Sequence, residues 1–147
     1  YLPFGECRHA PVGAEDIARV VVGILEDPEP HVGQHHFITG PKNMKVVEMA
    51  EVLSGELGKP IEYVNLPIEQ WRKILVEKAG LPESLATHLA AVAQDHQDGV
   101  FSGVTDVVEK IGGQAPQSLE DFVRAHRAEF TGGPELSRQA QREMRRS

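Results

Sequence analysis

The order of patterns along this chain predicts an α/β fold that is mostly helical, with two or three short strands. Apolar residues recur at helical spacing in six segments, while only residues 34–39 and 61–65 read as strands. Proline or glycine closes most of these segments, which fixes their ends. The resulting order is helix, strand, helix, strand and then four helices.

Residues 1–12 read as an irregular segment or short strand leading into the first helix. Residues 14–26 are the clearest helix: Ile17, Val20, Val21, Ile24 and Leu25 make the stripe of a half-buried helix. Glu15 and Asp16 occupy its first turn, where the helix dipole favours anions, and Pro28 and Pro30 stop it. The QHHFIT stretch, residues 34–39, is rich in aromatic and β-branched residues and ends at Gly40-Pro41. Asn43 is the expected N-cap of a helix that runs to Leu57, with Gly58 at its end. Residues 61–65 alternate apolar and polar, and Pro67 ends them.

Helices are then expected over 68–78 (Trp71, Ile74, Leu75), 82–97 (Leu85, Leu89, Val92, His96) and 105–111. A last one spans 118–130, opened by Ser118 and Asp121 in a near capping box. Residues 131–147 hold only Leu136 and Met144 as large apolar residues and are expected to form a basic, mobile tail. Two short strands do not make a stable sheet alone. The sequence also starts at Tyr1 rather than Met. A sheet supplied by an upstream half or by another subunit is therefore expected.

The chain has 147 residues, 40% hydrophobic and 25% charged, an ordinary globular composition. Its net charge is −7: residues 1–130 carry 11 basic and 20 acidic side chains, the remainder 4 and 2. An acidic body repels a phosphate backbone, so no nucleic-acid partner is expected. No apolar run approaches the roughly 20 residues of a membrane span and no signal-peptide pattern is seen, so the expectation is a soluble, cytoplasmic chain without a membrane partner.

Sites of chemistry are scarce. There is no G-x-G-x-x-G phosphate loop and no Tyr-x-x-x-Lys pair. Cys7 is the single cysteine, so neither an internal disulfide nor a four-cysteine zinc site exists. Of the seven histidines, His35 and His36 are adjacent on an expected strand and face opposite ways. His88 and His96 are eight helical residues apart, about 12 Å. No H-E-x-x-H occurs, and no metal site is expected. Arg8 could lower the Cys7 thiol pKa, yet neighbouring side chains on an extended segment diverge, so Cys7 reads as a loop thiol. His96 on an apolar stripe reads as a core or boundary residue, and no catalytic residue is assigned.

Read together, several motifs resemble one family. Pro3-Phe4-Gly5-Glu6 followed by Pro11 to Ala18 (PVGAEDIA) is similar to the "PxG…VDVxDIA" passage of the NmrA-like proteins, which are atypical short-chain dehydrogenases. His36 to Pro41 resembles their "YxLTGP" turn, and Glu48 to Gly58 their "EiAxxLSxxLG" helix. Gly99 to Thr105, Ile111 to Pro116 and Ser118 to Phe122 resemble their C-terminal "GxF…vT…itGrpPxsfeeF" stretch. The resemblance is collinear over residues 1–130.

The resemblance implies that residues 1–130 are the C-terminal, pocket-forming lobe of a Rossmann-type NAD(P)-binding fold. The family's N-terminal half, with its glycine-rich loop, has no counterpart in this sequence. NAD(P)H is the implied cofactor of the full-length protein, with none expected to bind this chain alone. The implied activity is reduction of a small-molecule quinone or azo-type acceptor. The alternatives are a dinucleotide-sensing regulator acting through a protein partner, or an epimerase lobe of the extended dehydrogenase class. By position, Phe4, Arg8, His9, His88, His96 and Phe101 are the implied pocket residues, with the 82–97 helix as its roof.

Overall fold

The computed structural model describes residues 1–132 of the chain. Strand β1 (Arg8–His9) leads into α1 (Ala14–Glu26), and β2 (Met44–Lys45) leads directly into α2 (Val46–Leu57). Then follow α3 (Ile68–Glu77), α4 (Glu83–Gln97), α5 (Val107–Gly112), α6 (Leu119–Ala125) and α7 (Arg127–Gly132). The two strands pair antiparallel, Arg8 with Lys45 and His9 with Met44. The α/β, mostly helical class is therefore the observed one. Of the tail expected over 131–147, all but its first two residues lie outside the described residues.

Helix α1 has the bounds its stripe and prolines predict, and α3 and α4 differ from expectation by one residue at their ends. The strands are where the expectation fails. Residues 34–39 form no strand; beside them the Gly40 N–H donates to the Ala10 carbonyl at 3.1 Å. Residues 61–65 make a single parallel bridge, Leu2 with Asn65. Pairing is a non-local property, and neither segment forms a ladder with a partner strand. Of the observed strands, β1 falls in the segment expected to be irregular or a short strand and β2 inside the expected second helix, because two residues carry no periodicity.

The start of α2 also moves. Lys45 rather than Asn43 is its N-cap, since Met44 and Lys45 are held extended by β1. The cap itself comes from Glu48, whose Oε2 accepts the Lys45 N–H at 2.9 Å. That bond, together with Arg8, holds the Glu48 carboxyl below the usual range against the opposing effect of burial. At the other end Gly58 closes α2 at φ +68°, as the sequence predicts. The expected 118–130 helix breaks at His126 into α6 and α7, while Ser118 Oγ does accept the Asp121 N–H at 3.1 Å.

The helices pack in pairs: α1 on α5, α3 on α4, α2 on α6. Fully buried side chains include Val20 (α1), Val108 (α5), Val123 (α6) and Met44 (β2). In α1 and α5 the backbones meet closely at Gly23, where a Cβ would sit 2.2 Å from the Ile111 carbonyl oxygen. Asp16 of α1 is buried, pairs with Arg19 at 2.8 Å and accepts the Gln117 N–H at 2.9 Å. It is an anchor for the loop before α6 as well as a first-turn anion. No described helix is long and apolar enough to cross a membrane.

Candidate functional site

The site forms where the end of α4 meets the N-terminal segment. Gly99 takes φ +79°, a left-handed conformation that suits glycine. Its N–H donates to the His96 carbonyl at 3.1 Å, and the Val100 N–H donates to the Asp95 carbonyl at 3.0 Å. These are the two bonds of a Schellman ending, which turns the chain back on the helix. Phe101 then lies against His96, with ring centroids 4.4 Å apart. Phe4 stacks on the same imidazole at 4.3 Å, and His9 meets it edge-on at 5.0 Å. Gln97 Nε2 ties the helix end to the Pro3 carbonyl at 2.6 Å.

Beside this cluster is an open cavity of about 710 Å³. Its walls are residues 9–12, 37–39, His96 and 100–105. Threonines hold the walls in register: Thr105 N–H donates to Thr39 Oγ1 at 2.9 Å, and Thr105 Oγ1 donates to the Phe37 carbonyl at 2.6 Å. Gly40 permits the close approach, since a Cβ there would fall 1.8 Å from the Pro11 carbonyl oxygen. The wall is apolar and aromatic, with Phe37, Val100, Phe101 and Val104 all exposed. A smaller cavity of about 400 Å³ adjoins, lined by Phe4, Gly5, Glu6, Cys7, Asn65 and Gln97. Neither is lined by a lysine or arginine.

Of the six residues implied by the resemblance, four come together. His9, His96 and Phe101 line the larger cavity, and Phe4 stacks behind His96 and lines the smaller one. Two do not join them. Arg8 makes a forked ion pair with Glu48, at 3.0 and 3.3 Å, and donates to the Asn43 carbonyl at 3.0 Å. It fastens β1 to the start of α2 instead of lining a pocket. His88 is exposed on α4, outside both cavities. The sequence reading missed Phe37, Val100 and Val104 as walls; the quoted turn at 36–41 and the stretch 99–105 carried the only signal for them.

Burial, and then the nearby His96, hold the His9 imidazole below the ordinary histidine range. Burial does the same to His96, opposed by Asp95. Burial pushes the Cys7 thiol up. Both imidazoles are thus neutral near pH 7. Their Nδ1 atoms are buried without a hydrogen-bond partner.

No protein-family model matches the chain. It is 34% identical over 130 residues to an NAD(P)H azoreductase of Xenophilus azovorans, covering 88% of this chain and 45% of that one. Its fold matches a nucleoside-diphosphate-sugar epimerase of Staphylococcus aureus at TM-score 0.71 and 24% identity, over 83% of this chain and 42% of the other. It matches an NADPH-dependent quinone oxidoreductase of Escherichia coli at TM-score 0.71 and 20% identity, over 84% and 44%. The chain is related to NAD(P)H oxidoreductases and shares the fold of Rossmann-type reductases and epimerases. It spans less than half the length of each of these proteins.

Proposed function

We propose that the chain is the pocket-forming lobe of an NmrA-like, NAD(P)H-dependent oxidoreductase that reduces a flat aromatic acceptor of the quinone or azo type. The observation that carries this reading is the aromatic wall: Phe101, His96 and Phe4 in contact beside an apolar cavity of about 710 Å³. A planar conjugated ring gains stacking area on such a wall, and few polar groups there compete for it. Both the azoreductase and quinone-reductase likenesses favour an acceptor of this shape.

The two cavities offer neither a cation nor a glycine-rich loop to the phosphate end of a dinucleotide. The role of this lobe is accordingly to bind the acceptor, orient it and exclude water. The hydride chemistry belongs to the cofactor. An upstream half or another subunit would hold that cofactor and cover the apolar face of α1 at Ile17, Val21 and Leu25, which are 39%, 48% and 72% exposed.

Steady-state NADPH oxidation with a panel of quinones and azo compounds tests the reading, in the protein isolated from its source cells. Turnover with at least one acceptor is expected. Phe101→Ala should raise KM for it about tenfold at unchanged dinucleotide affinity. Dinucleotide binding without any turnover would replace the reductase with the sensing regulator.

A further inference from the structure

Cys7, His9 and His96 stand together although the sequence separates them. Residues 7 and 9 are two apart on an extended segment, so their side chains share a face. Arg8 between them turns to Glu48. His96 arrives from the last turn of α4, and the Gln97–Pro3 bond fixes that helix end against the segment. The Cys7 Sγ and one nitrogen each of His9 and His96 all lie within 4.8 Å of one another.

We propose that these three side chains bind one divalent transition-metal ion of the zinc class, with a fourth position left for water or a small ligand. Thiolate and imidazole select such an ion over magnesium or calcium. Tetrahedral zinc with ordinary bond lengths needs donors roughly 3.4–3.6 Å apart, so the cluster closes on the ion by about 1 Å. That is within the reach of side-chain rotation.

Two observations support the assignment. The Nδ1 atoms of both histidines are buried with no partner, a state that a bound ion would relieve. The cluster also lies at the junction of two cavities, with His9 and His96 lining one and Cys7 the other, which gives an ion a way in. Binding converts Cys–SH and M²⁺ into Cys–S–M⁺ and one released H⁺. No oxidant or reductant is involved. Spacing within one element does not reveal the set, since His96 stands 87 residues from His9 and 89 from Cys7. The inference is independent of the acceptor.

The test is titration of the full, untagged chain with Zn²⁺ by calorimetry and with Co²⁺ by absorption. One ion per chain and a thiolate-to-cobalt charge-transfer band are expected. His9→Gln and His96→Gln should each weaken Zn²⁺ binding about tenfold or more. Cys7→Ser should abolish the charge-transfer band. His88→Gln, which changes an exposed histidine outside the cluster, should leave both readouts as they were. A cobalt complex without the thiolate band overturns the assignment, as does equal weakening by His88→Gln. Should a ligand variant not fold, alkylation of Cys7 in the unaltered chain decides. Zn²⁺ should slow that reaction about tenfold or more, and an unchanged rate overturns the proposal.

Discussion

Helices α1 and α4 have similar lengths and opposite habits. α4 buries three alanines, Ala86, Ala90 and Ala93, and packs against α3. α1 fully buries only Val20 and Asp16, and presents Ile17, Val21, Val22 and Leu25 to solvent. α4 is therefore satisfied by the chain it belongs to. α1 is satisfied on one side only, where Gly23 lets it approach α5. An apolar stripe wider than its contact is the surface that the proposed covering layer would meet. The two helices thus separate what the chain buries by itself from what it leaves exposed.

The largest effect expected from breaking this contrast is at Gly23. Gly23→Leu places a side chain on the Ile111 backbone, which cannot yield as a flexible side chain would. A loss of about 3 kcal/mol or more is expected in urea unfolding. A loss below about 1 kcal/mol would show that α1 and α5 are not in close contact. On α4, Ala86→Leu overfills a fully buried position facing the rest of the fold. A loss of about 1–3 kcal/mol is expected by the same measurement. A neutral result would mean that the α4 side is as loosely filled as the open side of α1.

The same contrast explains what could be read in advance. The bounds of α1, α3 and α4 follow from stripes, prolines and glycines, all local features. Residues 34–39 have strand composition but make a Gln34–His31 turn bond, a His36–His31 ring contact and the Thr105 contacts, with the Gly40–Ala10 bond beside them, rather than a ladder, because strand formation needs a partner that sequence cannot supply. The Asn43 cap failed for a similar reason: Met44 and Lys45 were taken by β1. At the site, Cys7 reads as a loop thiol and His96 as a core or boundary residue. That they meet with His9 is not legible, since it depends on how α4 docks against the N-terminal segment. Arg8 was placed in the pocket by position, and Glu48, forty residues away, captured it.

The smallest effect is the one that sharpens the comparison most. Ile17→Ser combined with Leu25→Ser removes two exposed apolar side chains from α1 without touching Val20. In the 147-residue chain the stability should change by no more than about 0.5 kcal/mol, the range of ordinary surface substitutions. In a form extended by the proposed upstream half, the same pair should cost about 2 kcal/mol or more, because each side chain would then leave a buried contact. The difference between the two urea midpoints, rather than either value, is the informative quantity, since it cancels the change in helix propensity common to both forms. Equal losses of about 2 kcal/mol in both would mean that Ile17 and Leu25 already pack within this chain. The contrast between α1 and α4 would then disappear. A small loss in both would leave α1 exposed in the longer form as well, and the covering layer would have to meet the lobe elsewhere, with Val32 and Phe37, at 78% and 75% exposure, the next apolar residues to test.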